Sequence, residues 1–300
     1  MLIDTHCHID AAEFAGDRDA VVRAAAAAGI VAIVVPSVMP ENFAAVRVCC
    51  ERHVLCRPAY GTHPLRVDST DETALGRLRA CLEREMAGAH PPAAVGEIGL
   101  DFHVPGFDAA RQERFFVEQL KIARDFDLPV LLHIRRAVDA VLRQLRRIGA
   151  RGGIAHAFNG SRQQADEFLR LGFRLGFGGA MSFPRATRIR RLASSLPREA
   201  LVLETDAPDI PPAWLEGGRN TPAELLRIAD ALAELRGIDR AEVESFTTDN
   251  AVAVLGFRRQ RFERTEDSSR GQRIEDRRQF QRTEDRGQKT DEFAALSRRV

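Results

Sequence analysis

Two histidines separated by one residue, His6 and His8, could together hold a metal ion. They lie along or just beyond the first apolar run of the chain, in alternation with Asp4. Residues two apart on an extended segment point to the same side, so all three side chains should face one way. The histidine pair is a weak signal by itself, because histidines close in sequence also occur for structural reasons.

Four further candidates for metal binding lie at the ends of later apolar runs. They come near the end of the fourth run, at the ends of the fifth and sixth, and after the eighth: Glu97, His133, His156 and Asp206. Imidazoles mixed with carboxylates suit zinc, manganese or magnesium. Whether these side chains meet depends on the fold that carries the runs.

Eight short runs that are apolar on both faces predict the buried strands of a parallel sheet. They are Leu2–Thr5, Ile30–Val35, Val54–Ala59, Ala93–Ile98, Val130–Ile134, Gly153–Ala157, Phe173–Phe177 and Leu201–Glu204. The helical patterns are Asp17–Ala28, Glu41–Arg52, Asp71–Ala87, Asp108–Phe126, Ala137–Ile148, Ser161–Leu171, Thr187–Ser195, Thr221–Leu235 and Arg240–Leu255. This alternation predicts an α/β protein with a (β/α)8 TIM barrel. The alternative, a doubly wound open sheet, usually has fewer strands and a Gly-rich first turn that this chain lacks.

A barrel would bring the candidate ligands together, because the carboxyl ends of its strands converge on one face. Two ions roughly 3.5–4 Å apart can activate a water molecule and stabilise the attacking and leaving oxygens. The barrel geometry predicts a metal site at this mouth; that the site belongs to a metal-dependent hydrolase with two divalent ions, which would be magnesium, manganese or zinc, is implied by the family resemblance given below. A site with a single metal ion is the alternative.

Composition limits the partners of the protein. The 300 residues carry a formal net charge of +1, so no general positive field attracts nucleic acid, and DNA or oligonucleotide should bind weakly. The five cysteines are odd in number and form no CxxC pair, which predicts reduced thiols and a cytoplasmic location. No apolar run is long enough to span a bilayer. We expect neither membrane contact nor an obligate protein partner.

The character of the chain changes at Arg258, and residues 1–257 are predicted to form the barrel. An Arg-Thr/Ile-Glu-Asp motif recurs every nine residues from Arg264, with almost no aliphatic residues around it. Residues 258–300 contain 13 basic and 9 acidic residues, a net charge of +4, which leaves −3 for the barrel. Such a segment buries too little apolar surface to offset its ordering entropy, so we predict a disordered, low-complexity charged tail. A partner-binding arm is the alternative.

The motifs around the candidate ligands resemble those of the TatD family of metal-dependent hydrolases, within the amidohydrolase-like barrels. The resemblance runs from about Leu2 to Gly256 and includes DTHCHID, GTHP, GEIGLDF, LLHIRRA, AHAFNGS, LETDAP, RNTP and DNAVAVLGF. It implies divalent-metal-dependent hydrolysis, often of DNA from a free end, or in some relatives the deacylation of mischarged transfer RNA. It also implies that His6 and His8 bind one ion and that Glu97 bridges two.

The same resemblance implies a role for the remaining ligands. His133 and His156 would bind the second ion. Asp206 would bind metal and accept a proton from the attacking water.

Five further residues have two interpretations each. His63 could contact a substrate phosphate or be a structural loop histidine, and Arg135 could clamp a phosphate or form a salt bridge. Glu204 could support a ligand from behind or form a buried ion pair. Asp4 is expected to orient a ligand histidine rather than bind metal itself. Trp214 could stack on a base or acyl group, or pack within its own loop.

Three functions fit these residues. A phosphodiesterase, of the exonuclease-like deoxyribonuclease kind, fits two metals with nearby arginines and is the favoured prediction. A hydrolase of carboxylic esters or amides, such as an aminoacyl-tRNA deacylase, would use the same activated water. A metal-stabilised binding scaffold without catalysis is the third, and the proton acceptor Asp206 argues against it.

Overall fold

The computed structural model describes residues 1–257 of the chain. The tail predicted for residues 258–300 lies outside the described residues. All eight predicted strands are present: β1 (Leu2–Asp4), β2 (Ile30–Pro36), β3 (Cys56–Tyr60), β4 (Ala94–Asp101), β5 (Val130–Arg135), β6 (Gly153–Ala155), β7 (Phe173–Phe177) and β8 (Leu201–Leu203).

The strands form one parallel sheet in sequential order from β1 to β8. The last strand returns to the first, because the backbone N–H of Thr5, just after β1, donates to the carbonyl of Leu203 at 3.1 Å. The predicted (β/α)8 TIM barrel is therefore confirmed. The doubly wound alternative is wrong, since its strand order would reverse at a switch point.

Helices alternate with the strands along the chain. They are α1 (Arg18–Ala27), α2 (Phe43–Arg52), α3 (Thr73–Met86), α4 (Ala109–Asp125), α5 (Val138–Ile148), α6 (Arg162–Arg170), α7 (Thr187–Ser195), α8 (Leu225–Arg236) and α9 (Arg240–Leu255). Several helices begin one to four residues later than predicted, and two of these, α2 and α8, begin after 3-10 turns at Pro40–Asn42 and Pro222–Glu224. Proline favours the first turn of a helical segment, because it has no N–H to leave unpaired.

The core explains the apolar runs. Every residue of β2, β3 and β4 is buried, as expected for strands that lie between the barrel interior and a layer of helices. Among the described residues no helix is both long and apolar enough to cross a membrane. All five cysteines are buried and free.

Strand β4 runs three residues beyond its predicted end at Ile98. The extension depends on Gly99, whose φ is +151° and whose added Cβ would lie 1.9 Å from the carbonyl oxygen of His133. Glycine therefore lets β4 stay paired with β5 as far as Asp101, opposite Arg135. The extra residues carry a carboxylate to the mouth of the barrel.

Candidate metal centre

Four predicted ligands meet at one point of the barrel mouth. Nε2 of His6 lies 3.3 Å from Nε2 of His8, 3.2 Å from Oε2 of Glu97 and 3.6 Å from Oδ1 of Asp206. Nε2 of His8 lies 3.6 Å from Oε2 of Glu97 and 3.7 Å from Oδ1 of Asp206. Two nitrogens and two oxygens thus surround one small volume.

These spacings fit a bound cation. Ligands about 2.0–2.2 Å from a tetrahedral metal stand roughly 3.3–3.6 Å from one another. The measured separations, between 3.2 and 3.7 Å, bracket that range. Without a cation or a proton between them, the lone pairs of neutral imidazoles and carboxylates would repel each other. The donor set at His6, His8, Glu97 and Asp206 therefore suits a divalent ion.

Glu97 also takes part in a second cluster through its other oxygen. Oε1 lies 3.0 Å from Nδ1 of His133 and 3.6 Å from Nε2 of His63, and those two nitrogens are 3.0 Å apart. The glutamate itself is 2% exposed, so its carboxylate is shielded from solvent. One carboxylate placed between two groups of nitrogen ligands is the arrangement that a bridging ligand requires.

His156 lies against the first cluster. Its ring stacks on His6 with centroids 3.8 Å apart, and its Nε2 is 3.6 Å from Oδ2 of Asp206. Ligand atoms of His6, His156 and Asp206 lie within 4.8 Å of one another, as do those of His63, Glu97 and His133. The structure thus groups His133 with His63 rather than directly with His156, and the predicted pairing of the two on one ion stays a prediction.

Burial and neighbouring charges set the protonation of the histidines. Burial lowers the pKa of His6 and brings that of His63 to about 3, so both rings are neutral and able to bind metal. Burial opposes the charged form of His156 too, but the carboxylates of Glu204 and Asp206 outweigh it and raise its pKa to about 10. A metal ion bound at His156 must therefore displace a proton.

Glu204 supports His156 from behind. Its Oε1 lies 3.0 Å from Nδ1 of His156 and accepts from the backbone N–H of Ala157 at 2.6 Å. Carboxylates in this position hold a ligand histidine in one orientation and raise its basicity. This buried 3.0 Å contact fits both interpretations of Glu204, an ion pair or support of a ligand, and its support of a metal ligand stays a prediction.

Backbone geometry places Asp206 at the mouth. The residue has a φ of +57°, and its N–H donates to the carbonyl of His6 at 2.8 Å. A non-glycine residue in the left-handed region is uncommon and is often found at functional sites. The sharp turn after β8 is what brings this carboxylate against the segment that follows β1.

Asp4 does not contact a ligand imidazole, and the side chain of Trp214 is engaged by neighbouring residues. The carboxylate of Asp4 accepts from the N–H and hydroxyl of Thr205 at 3.0 and 2.6 Å, so it ties β1 to β8 rather than orienting an imidazole. The indole N–H of Trp214 donates to Glu224 at 2.6 Å, and the guanidinium of Arg227 lies 4.5 Å from the indole ring centroid. Trp214 therefore packs against Glu224 and Arg227, which lie close to it in the chain.

Arg135 lies at the mouth but outside the clusters. It is exposed, at the end of β5, two residues beyond His133 and so on the same side of the strand. Within residues 1–257 no acidic side chain pairs with it, so the salt-bridge interpretation has no support there.

Asp101, which had no role assigned from the sequence, has its Oδ2 3.0 Å from Nε2 of His133. Its position four residues after Glu97, on the same side of an extended strand, was the available signal.

We expect Gly176→Ala to weaken metal binding without touching a ligand. An added Cβ would lie 2.1 Å from Oε2 of Glu204, which must then move away from His156. Overpacking of this kind costs about 1–3 kcal/mol of stability, and loss of the carboxylate behind a ligand histidine costs roughly 10–100-fold in metal affinity. Thermal unfolding and metal titration measure both effects. Gly16→Ala is the control, since nothing lies within 4 Å of its added Cβ; equal metal affinity in the two variants would contradict the role of Glu204.

Proteins similar to this chain include metal-dependent hydrolases. The family model described as TatD related DNase matches residues 3–256. The uncharacterized metal-dependent hydrolase YjjV of Escherichia coli K12 is 40% identical over 254 residues, which are 84% of this chain and 97% of that protein. The crystal structure of E. coli YjjV, a TatD homologue, matches with a TM-score of 0.80 at 38% identity over 84% of this chain and 97% of that one.

A further relative has a named activity. The 3'-5' ssDNA/RNA exonuclease TatD of Cronobacter sakazakii is 33% identical over 266 residues, covering 85% of this chain and 97% of that protein. The family match spans the barrel and the candidate ligands His6, Glu97 and Asp206 alike. The chain therefore belongs to the TatD family of metal-dependent hydrolases.

Proposed function

We propose that the protein is a phosphodiesterase that removes nucleotides from an end of single-stranded DNA or short oligonucleotides. The observation that carries the proposal is the position of Glu97, whose two oxygens face two separate groups of ligand atoms. Two divalent ions held there would activate water and stabilise the leaving oxygen. Asp206, with its side chain 13% exposed, is the group placed to accept the proton of that water.

The ligand spacing favours zinc among the three predicted metals. Adjacent ligands of an octahedral magnesium ion, bound at about 2.0–2.1 Å, would stand roughly 2.9 Å apart. The first cluster is wider, with separations of 3.2 to 3.7 Å, and two of its four atoms are imidazole nitrogens. Imidazole suits zinc better than magnesium. Zinc should therefore support turnover better than magnesium does.

Exposed aromatic and basic side chains at the mouth support a polynucleotide substrate. Phe102 follows β4 and is 41% exposed, and Phe183 follows β7 and is 43% exposed. Unpaired bases stack on such rings with little sequence preference. Arg135 is exposed beside Phe102, whose N–H donates to the Arg135 carbonyl at 2.9 Å. With a net charge of −3 on residues 1–257, binding would be local and weak.

A substrate panel tests the proposal. End-labelled single-stranded DNA, duplex DNA and an aminoacyl-RNA would each be incubated with added Mg²⁺, Mn²⁺ or Zn²⁺. Stepwise release of mononucleotides from single strands, stopped by chelation, is the expected result. Deacylation of the aminoacyl-RNA with no nucleotide release would instead favour the ester or amide hydrolase. If no substrate is hydrolysed with any metal, the result would favour the third prediction, a metal-stabilised binding scaffold without catalysis.

Phe102→Ala is expected to raise KM for oligonucleotides and leave kcat nearly unchanged. Stacking on an aromatic side chain is worth about 1–3 kcal/mol per base, or roughly 5- to 150-fold in binding. The hydrolysis of a small phosphodiester that carries no aromatic ring should not change. Val54→Ala is the control, because Val54 is 64% exposed but precedes β3 at the opposite end of the barrel. An equal loss on both substrates would mean that Phe102 does not contact bases.

The location of the protein follows from its thiols. Five buried cysteines without a disulfide among the described residues are typical of a reducing compartment. We infer a cytoplasmic protein that acts without an obligate partner and without contact to a membrane.

A further inference from the structure

His133 lies between two carboxylates, one at each nitrogen of its ring. Nε2 is 3.0 Å from Oδ2 of Asp101, and Nδ1 is 3.0 Å from Oε1 of Glu97. Nε2 of His63 also lies 3.0 Å from Nδ1. The edge of the imidazole that faces the other candidate ligands is therefore the Nδ1 edge, and the Nε2 edge faces Asp101.

The carboxylate of Asp101 has little freedom to turn. It is 2% exposed, and its Oδ1 accepts from the backbone N–H groups of His103 at 2.8 Å and Val104 at 3.2 Å. The backbone N–H of Asp101 itself donates to Oε1 of Gln112 at 3.1 Å. The turn after β4 thus fixes one oxygen, and the other oxygen points at His133.

This geometry, together with a metal ion beside Glu97, decides which nitrogen of His133 holds a proton. An ionised carboxylate has no proton to give and can only accept, so Nε2 is the N–H that faces Asp101, and a metal ion that takes the lone pair of Nδ1 leaves Nε2 as the only protonated nitrogen of the ring. We infer that Asp101 is a positioning residue that holds His133 as the Nε2–H tautomer and so presents Nδ1 to a metal ion beside Glu97. The inference rests on the proposed metal centre and deepens it, because it names the ligand atom and the residue that selects it.

The arrangement around His156 is the reverse. There Glu204 lies 3.0 Å from Nδ1, and Nε2 is the nitrogen that faces Asp206, at 3.6 Å. The two histidines are thus held by carboxylates on opposite nitrogens. A purely structural ion pair would have no reason to leave, in both cases, the free nitrogen directed at the other ligands.

Asp101→Asn separates the proposed role from a structural one. The two backbone donors at Oδ1 keep the amide oxygen in that place, so the amide NH₂ replaces Oδ2 and donates to Nε2 of His133. The ring proton is then forced onto Nδ1, where metal should bind. Asp101→Ala instead removes the anchor of the turn and leaves the tautomer free. We expect the Asp101→Asn protein to bind metal as poorly as the Asp101→Ala protein or worse. The Asp101→Ala protein should have the lower melting temperature of the two.

The measurements are Zn²⁺ titration against a chromophoric chelator and ¹⁵N NMR of histidine side chains in the zinc-loaded protein. His133 is assigned by the loss of its signals in His133→Gln, and Asp108→Asn, at an exposed helix start, controls for the lost charge. We expect Asp101→Asn to lower the affinity of one zinc site by roughly 10–100-fold. The wild-type protein should show Nε2 protonated in His133.

Two outcomes would overturn the inference alone: wild-type zinc affinity at both sites in Asp101→Asn, or a proton on Nδ1 of His133 in the zinc-loaded wild type. If the wild-type protein takes up no zinc, manganese or magnesium, the proposed metal centre fails and the inference fails with it. If Asp101→Asn does not fold, the NMR spectrum of the wild type still decides the tautomer.

Discussion

Asp206→Asn is expected to lower kcat for phosphodiester hydrolysis by about 10²–10⁴-fold, the usual contribution of a positioned general base. The carboxylate lies 3.6 Å from Nε2 of both His6 and His156, so its loss also removes an oxygen from the metal centre. Asparagine is the better substitution, because the φ of +57° at this position disfavours alanine. The barrel should therefore stay folded while turnover falls.

The measurement is the steady-state rate with saturating Mn²⁺ or Zn²⁺ on labelled single-stranded DNA, together with the melting temperature. Asp230→Asn serves as the control, since Asp230 is exposed on α8 and pairs with Arg240. A rate within a few-fold of wild type in Asp206→Asn would show that the proton goes elsewhere and that the assignment of the base is wrong.

Glu97→Gln is expected to reduce the bound metal from two ions to one and to remove most activity. The wild-type carboxylate gives Oε2 to the cluster at His6 and His8, and Oε1 to the cluster at His133 and His63. A glutamine offers one oxygen and one NH₂ group, and the NH₂ group cannot bind a cation. One cluster must therefore lose its carboxylate ligand whichever way the amide turns.

Metal analysis after dialysis gives the number of bound ions. Loss of a residue that only contacts a metal ligand typically lowers metal affinity roughly 10–100-fold, and we expect a larger loss at the weaker site of Glu97→Gln. Glu85→Gln is the matched control, because Glu85 is also a buried glutamate but lies on α3, where it pairs with Arg84. Retention of two ions by Glu97→Gln at wild-type affinity would exclude a bridging role.

The fold was largely predictable because each strand is marked by a feature that is local in sequence. A run such as Ile30–Pro36 is apolar on both faces because the strand lies between the barrel interior and the helices. The errors are at element ends, where local pattern competes with pairing. Strand β4 continues past Ile98 because Gly99 allows close contact with β5, and this contact depends on a partner 34 positions later in the chain.

The identity of the six candidate ligands also came from the sequence. Their residue types can bind metal, and their positions at strand ends place them at one mouth once the barrel is assumed. His6 and His8, for example, needed only the alternation of a strand. The family motifs added the roles of these residues; the family match over residues 3–256 spans all six of them, and their roles stay predictions.

What only the tertiary structure decided is how the ligand atoms are shared and oriented. The division of Glu97 between two clusters and the contact of Asp101 with His133 depend on the register between β4 and β5 and on side-chain torsions. The position of His63 beside His133 depends on the loop after β3. These are contacts of about 3 Å between residues tens of positions apart. A pattern along the sequence does not specify which distant residues come into contact. The sequence by itself determined which residues could form the metal centre; the folded barrel determined which nitrogen and which oxygen each of them presents.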